Sequence, residues 1–124
     1  MSTPAFPRLA VIGLRTSDVS ATVHFYRDFL GLTLLSHHGH RPAFDLGDGL
    51  NLVIIEAKET PEPPLPAARF PVLAFAVKDL EDMVERLQLH GIELPWGVES
   101  NSGTRWAEFY DPGGNLIEFA QFGN

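Results

Sequence analysis

The segment DPGGNLIEF, from Asp111 to Phe119, is the most informative part of the sequence about its fold. Its first five residues are turn formers, because proline fixes φ, glycine tolerates positive φ, and aspartate and asparagine side chains bond to nearby backbone. Segments with strand-forming residues flank this turn, at Thr104–Tyr110 and Leu116–Phe122. We therefore predict a hairpin of two strands, with Glu118 on the same face of the last strand as Ala120.

Upstream of this hairpin, the second half of the chain predicts one strand, one helix and one further strand. Pro71–Val77 is an apolar strand that ends at Asp79, and the helix that follows closes at Gly91. The helix is indicated by apolar residues at helical spacing: Leu80, Met83, Val84 and Leu87. Glu93–Val98 is predicted to be the strand that precedes the hairpin.

The first half of the chain has the same order of elements. An apolar strand, Leu9–Leu14, leads to Ser17 or Asp18 as the predicted N-cap of a helix that ends at Gly31. The apolar face of this helix is formed by Val19, Val23, Tyr26 and Leu30. Three strands are predicted after it, with glycines between them: Leu32–His37, Arg41–Leu46 and Leu50–Glu56.

Corresponding landmarks in the two halves are separated by about half of the chain. Asp18 and Asp79 are 61 positions apart, and Gly31 and Gly91 are 60 apart, in a chain of 124 residues. This spacing predicts an α+β fold made of two tandem βαβββ units. One unit alone does not bury both faces of its sheet, so we expect two units, from the same chain or from two chains of a dimer, to pair and form a cavity between curved mixed sheets.

Length and composition indicate a single globular domain. A chain of 124 residues with 44% hydrophobic residues is long enough to bury one core. We predict one domain over residues 1–124, in which repeat 8–58 and repeat 70–122 are joined by a proline-rich linker, 59–69. Ligands tend to bind in the concave space where two layers meet, so the predicted cavity is the candidate binding site.

Composition also excludes several classes of protein. Asp and Glu outnumber Lys and Arg by 16 to 9, so the chain lacks the basic surface that nucleic-acid binding needs. There is no cysteine, which excludes disulfides, thiolate metal sites and cysteine nucleophiles. Without an apolar run of about 18 residues or a signal-peptide pattern, we expect a cytoplasmic protein that does not span a membrane.

Three segments together resemble the vicinal oxygen chelate superfamily, which includes glyoxalase I, bleomycin-resistance proteins and extradiol dioxygenases. They are LRTSD at Leu14–Asp18, FYRDFLGL at Phe25–Leu32 and DPGGNLIEF at Asp111–Phe119. The resemblance covers about residues 8 to 122. It implies paired βαβββ units, a small-molecule ligand and a homodimer, but no single activity, because this fold hosts many.

Metal-dependent members of the superfamily hold one divalent ion with His and Glu ligands, commonly two from each half. The resemblance places these four positions at Val11, Val53, Val72 and Glu118. Valine does not coordinate a metal, and one carboxylate does not hold a transition metal against water, so we predict no metal cofactor. The alternative is a displaced site formed by Glu118, His38 and His40, although these two histidines are more typical of a polar hairpin.

The rest of the predicted site is a largely apolar binding surface. The resemblance implies that Arg15 contacts an anionic group of the substrate. Glu118 has three interpretations: a structural ion pair with a base such as Arg15, a hydrogen-bonding anchor for the ligand, or a general base, for which it is the best catalytic candidate. Trp106 is as typical of core packing as of a stacking surface for a planar ligand, and Trp96 is predicted at the mouth of the cavity. The predicted ligand-binding set is Arg15, Glu118, Trp106, Trp96, Val11, Val53 and Val72.

These observations predict a metal-independent small-molecule-binding protein of the glyoxalase/bleomycin-resistance type. We expect its ligand to be largely apolar or aromatic and to lie in the inter-sheet cavity, and antibiotic binding is one version of this function. The first alternative is a lyase, isomerase or dioxygenase of the same superfamily with a displaced divalent metal site. The second is a dimeric accessory module that binds no ligand.

Overall fold

The computed structural model describes residues 8–35, 41–57 and 71–123. Contacts within the chain divide it into two compact units, Met1–Thr60 and Pro61–Asn124. Each unit has one four-stranded mixed sheet and one helical segment, which confirms the predicted α+β fold class. The predicted linker, 59–69, lies outside the described residues. In the ranges described, no helix has the length and apolar character needed to cross a membrane.

The first unit is a sheet with one helical segment on it. Its elements are β1 (Val11–Thr16), α1 (Val19–His24), a π-helical turn (Phe25–Phe29), β2 (Thr33–Leu34), β3 (Ala43–Asp45) and β4 (Asn51–Glu56). The strand order is β1-β4-β3-β2, in which β1 is parallel to β4 and the other pairs are antiparallel. The rings of Tyr26 and Phe44 lie 6.0 Å apart, so the helical segment covers the face of the sheet that carries Phe44. The opposite face is called the helix-free face of the first sheet.

The π-helical turn extends α1 and directs three aromatic rings into the core. The N–H of Leu30 donates to the carbonyl of Phe25, five residues earlier, at 2.9 Å, which is the bonding pattern of a π-helix. Phe25, Tyr26 and Phe29 are all buried. The helical segment ends at the predicted residue, because Gly31 takes a φ of +79°, a conformation that favours glycine.

The second unit has the same layout. Its elements are β5 (Leu73–Ala76), α2 (Leu80–Leu89), β6 (Val98–Asn101), β7 (Thr104–Tyr110) and β8 (Leu116–Gln121). The strand order is β5-β8-β7-β6, and β5 is parallel to β8. Oε1 of Gln121 accepts a hydrogen bond from the backbone N–H of Leu80 at 2.7 Å, and Arg105 forms an ion pair with Glu81. The hydrogen bond from Arg105 lowers the pKa of the Glu81 carboxyl. Both contacts join α2 to one face of the sheet, and the opposite face is the helix-free face of the second sheet.

Aromatic and aliphatic side chains form the core of the second unit. Leu80 and Leu87 of α2 and Phe109 and Phe119 of the sheet have no exposed surface. The two phenylalanine rings lie 4.9 Å apart in a tilted arrangement, which is a favourable geometry for an aromatic pair. This core fixes the face of the sheet that packs on α2, and therefore also fixes which side chains lie on the helix-free face.

The prediction for the third strand of the second unit was wrong. The sequence predicts Glu93–Val98, but β6 runs from Val98 to Asn101. Proline has no N–H to donate to a neighbouring strand, so Pro95 opposes strand pairing there. Gly97 takes a φ of +64°, which is incompatible with an extended strand. Trp96 therefore lies in the turn that precedes β6 rather than in the strand itself.

The strands of the first unit differ from their predicted bounds by a few residues. β1 begins and ends two residues later than the predicted Leu9–Leu14. Its later end follows from pairing with β4, where Thr16 is opposite Glu56, because local sequence does not contain that partner. β2 covers two residues of the predicted Leu32–His37, and the last two residues of that range lie outside the described ones.

Candidate functional site

The helix-free face of the first sheet carries Arg15 and two of the predicted ligand positions. Val11, Gly13 and Arg15 alternate along β1 and are exposed. In the neighbouring strand, Val53 is opposite Gly13 and is 4% exposed. A Cβ atom on Gly13 would meet Cδ1 of Ile55 at 2.8 Å, so the glycine lets that side chain lie across β1. This face is therefore apolar around Val53, with the guanidinium of Arg15 further along β1.

The helix-free face of the second sheet has a strip of alanines beside a tryptophan. Ala74 and Ala76 of β5 are exposed, and Ala120 of β8 lies opposite Ala76 on one side and Trp106 on the other. Ala74 and Ala76 are the accessible members of this strip, whereas Ala120 is 1% exposed and Trp106 is half-buried.

Two glutamates stand directly opposite each other on this same face. Glu108 of β7 pairs with Glu118 of β8, and side chains in such pairs have Cβ atoms about 4.5–5.5 Å apart. Glu108 is only 2% exposed, whereas Glu118 is half-buried. The pair places two carboxyl groups on the same face of the sheet as the alanine strip.

The sequence alone points to Glu118 but not to its neighbour Glu108. The signal that identifies the pair is the turn between the strands, Asp111–Asn115. With a loop of that length, Tyr110 pairs with Leu116. Two residues further from the turn along each strand, Glu108 pairs with Glu118. Counting outward from the turn is therefore enough to find both carboxylates.

Aromatic side chains border the glutamate pair along β7. Trp106, Glu108 and Tyr110 share one face because they are two residues apart along the strand. Trp96 packs against Tyr110 with ring centroids 6.4 Å apart. Trp96 therefore reaches this face through its contact with Tyr110, although it lies in a turn and not in the predicted strand.

The turn between β7 and β8 is closed by one buried carboxylate. Oδ1 of Asp111 accepts hydrogen bonds from the backbone N–H groups of Gly113 and Asn115, at 2.9 and 2.8 Å. The side-chain amide of Asn115 donates to both carboxylate oxygens at 3.1 Å. Asp111 is 5% exposed. These bonds fix the shape of the turn and so keep the two glutamates in register.

Strand registers identify equivalent positions in the two sheets. Gly13 is opposite Val53 in one parallel pair, and Ala74 is opposite Glu118 in the other. Val53 therefore takes the place that Glu118 has in the second unit, which is the correspondence inferred from the sequence. The predicted ion pair between Arg15 and Glu118 joins residues of different units and stays a prediction.

The residues at these positions do not fit a His and Glu donor set for a divalent ion. Within residues 8–35, 41–57 and 71–123, no three His, Cys, Asp or Glu residues lie together as a candidate metal site. Val11, Val53 and Val72 have no side-chain donor atoms. The alternative ligands His38 and His40 lie outside the described residues.

Comparison with known proteins gives one family and a common fold. The model of the Glyoxalase/Bleomycin resistance protein/Dioxygenase superfamily matches residues 8–119. Virulence protein STM3117 of Salmonella typhimurium is 29% identical over 121 residues, which cover 93% of this chain and 84% of that protein. The fosfomycin resistance protein FosX of Listeria monocytogenes superposes with a TM-score of 0.75 at 22% identity, over 94% of this chain and 93% of FosX. TnmS3, an antibiotic binding protein of Streptomyces sp. CB03234, gives a TM-score of 0.70 at 24% identity, over 96% of this chain and 98% of TnmS3.

Proposed function

This chain belongs to the glyoxalase/bleomycin resistance protein/dioxygenase superfamily, and on that basis we propose that it is a metal-independent small-molecule-binding protein. Its ligand is a largely apolar or aromatic molecule that lies on the helix-free face of the second sheet. The observation that carries the proposal is the alanine strip of Ala74, Ala76 and Ala120 beside Trp106. Such a surface offers stacking and apolar contact with few polar groups to fix orientation.

Two further observations support the proposal, and the first concerns the metal while the second concerns the ligand. Val53 stands where the second unit has Glu118, so the first sheet offers no carboxylate at the equivalent position. One protein of the same fold, TnmS3, is an antibiotic binding protein. Sequestration of an antibiotic is accordingly one form that the proposed function takes.

A screen of ligands by thermal unfolding tests this function directly. The panel contains flat two-ring and three-ring aromatics, with acridone as the neutral reference, and aliphatic molecules of similar size. A ligand that binds only the folded state at 100 times its Kd stabilises by about 2.7 kcal/mol, which raises Tm by about 10 °C in a domain of this size. We expect aromatic members to raise Tm and aliphatic members to leave it unchanged.

The Trp106→Ala variant locates the ligand. Loss of the stacking surface is expected to weaken aromatic binding about 10-fold, whereas Leu89→Ala, which changes a 78% exposed side chain on α2, leaves affinity unchanged. If the Trp106→Ala and Leu89→Ala variants bind the aromatic ligand with equal affinity, the ligand does not lie on this face. If no member of the panel raises Tm, the accessory module without a ligand becomes the better interpretation.

Metal content separates this function from its enzyme alternative. Elemental mass spectrometry is applied to protein purified without a His tag and then offered Zn, Ni, Mn and Fe. We expect no stoichiometric metal, because valines occupy the equivalent positions. About one metal ion per chain, lost in Glu118→Gln, together with lyase, isomerase or dioxygenase activity that a chelator abolishes, would instead establish a displaced site.

A further inference from the structure

We infer that residues 93–97 form a strap with two positions, one in contact with the helix-free face of the second sheet and one moved towards α2. The strap connects α2 to β6, and Trp96 is the strap residue that packs against Tyr110 of that face. In the first position Trp96 lies against the Tyr110 end of the proposed binding face, and in the second it leaves that end open. The two positions do not depend on the proposed function, whereas control of ligand entry by the strap rests on it.

The strap runs between two anchored residues. Before it, the N–H of Ile92 donates to the carbonyl of Leu87 at 2.9 Å, which attaches Ile92 to the last turn of α2. After it, Val98 begins β6 and pairs with Ala107 of β7. A short segment between two anchored ends can change position locally, without opening the helix or the sheet.

The strap contains its own turn and a glycine that allows rotation of the backbone. The N–H of Gly97 donates to the carbonyl of Leu94 at 3.1 Å, so the turn that carries Trp96 keeps this bond when it moves as a unit. Gly97 takes a φ of +64°, and among the described residues a Cβ atom built on it would meet nothing within 4 Å beyond its neighbours in the chain. The glycine is therefore needed for its backbone conformation and not to save space, as is common where a chain hinges.

A groove between α2 and the strap provides room for this movement. Its volume is about 650 Å³, and its lining includes Val84 and Gln88 of α2 and Leu94 and Pro95 of the strap. Segments inside a protein are normally held in place by close packing on every side. Because the groove separates the strap from α2, a shift towards the helix enters open space instead of displacing packed side chains.

Trp96 connects this movement to the proposed binding face. Its ring is tilted by 52° to that of Tyr110, with the ring centroids 6.4 Å apart. Tyr110 shares one face of β7 with Trp106, the aromatic residue beside the alanine strip. Movement of the strap towards α2 separates the rings of Trp96 and Tyr110, and so opens the Tyr110 end of this face to an aromatic molecule.

Fluorine NMR of the full chain labelled with 5-fluorotryptophan tests the two positions without any ligand. The chain has two tryptophans, and Trp96→Phe assigns their signals. Loop movements over a site occur in microseconds to milliseconds, a range that relaxation dispersion detects. We expect a minor state of about 1–10% at Trp96, observed as a second signal or as an exchange contribution to relaxation.

Substitutions that fill the groove connect this exchange to the strap. Val84→Phe and Gln88→Phe each add a ring to the groove, so overcrowding of the open position lowers the minor population about 5-fold or more. Leu89→Phe enlarges a 78% exposed side chain of α2 and leaves the population unchanged. Gln88 is exposed, so its variant keeps the test valid if Val84→Phe unfolds, which Tm reports. The inference is overturned by a Trp96 signal without exchange, by exchange that the groove variants do not reduce, or by equal exchange at both tryptophans.

Association kinetics with acridone test the control of ligand entry. A strap that must open first limits association to the open population, so Trp96→Ala raises the association rate constant about 10-fold and the groove variants lower it. Unchanged association with faster dissociation in Trp96→Ala would make Trp96 a wall of the site and overturn this role. If neither acridone nor the wider aromatic panel binds, the proposed function fails and the role in entry with it, while the fluorine signals still decide whether the strap has two positions.

Discussion

Replacing Asp111 with alanine is expected to lower the free energy of unfolding by about 3 kcal/mol, because the donors of the β7–β8 turn lose their acceptor. The carboxylate accepts from two backbone N–H groups and from the amide of Asn115, and it is 5% exposed. Without it these donors are left unsatisfied in a region that water reaches poorly. Urea unfolding measures the change, and a fall in Tm of about 12 °C accompanies it.

Asp111→Asn is the matched control for this variant. Asparagine retains one carbonyl oxygen at the position of Oδ1, which keeps the bonds to Gly113 and Asn115, so we expect it to lose less than half as much stability. Equal losses in the two variants would indicate that the charge, and not the acceptor geometry, stabilises the turn.

Phe119→Ala is expected to destabilise the protein by about 4 kcal/mol, the usual cost of removing a fully buried aromatic ring from a packed core. Phe119 has no exposed surface, and its ring is 4.9 Å from that of Phe109. The change removes both apolar burial and the aromatic pair and leaves a cavity between α2 and the sheet. A fall in Tm of about 15 °C is expected in thermal unfolding.

Phe122→Ala provides the comparison, because Phe122 lies just beyond β8 and is 63% exposed. Substitution of an exposed side chain usually changes stability by no more than about 0.5 kcal/mol. A loss at Phe122 as large as that at Phe119 would contradict the assignment of the core to the α2 face. The comparison also checks strand register, since a slip by one residue exchanges the two faces of β8.

The fold was predictable because strong local signals coincide with the tertiary structure. The turn formers at Asp111–Asn115 and the glycine at Gly31 occur where the chain reverses or a helix ends. The failure at Glu93–Val98 has the opposite cause, since apolar residues there suggested a strand although Pro95 and Gly97 favour a turn. The end of β1 was also missed, because its pairing with β4 depends on residues distant in sequence.

The candidate site was predictable only in part, for a reason tied to strand pairing. The positions of Val53 and Glu118 follow from counting along each repeat. In the structure the two residues occupy equivalent positions in the parallel strand pairs of the two sheets. Glu108 became a candidate only when β7 and β8 were set side by side, although counting outward from the Asp111–Asn115 turn gives the same pairing with Glu118. Arg15 was assigned by resemblance, and its contact with a ligand stays a prediction.

The strand orders have a consequence for the time course of folding. In each unit the first strand pairs with the last one, β1 with β4 and β5 with β8, whereas β7 and β8 are joined by a short turn. The hairpin can therefore form early, but each parallel pair must wait until residues 17–50 or 77–115 have closed into a loop. Doubling the length of such a loop costs only about 0.6 kcal/mol, so this topology acts on stability weakly. It acts mainly on rate, because non-local pairing slows folding, and β1 and β5, each at one edge of its sheet, are the last strands to pair.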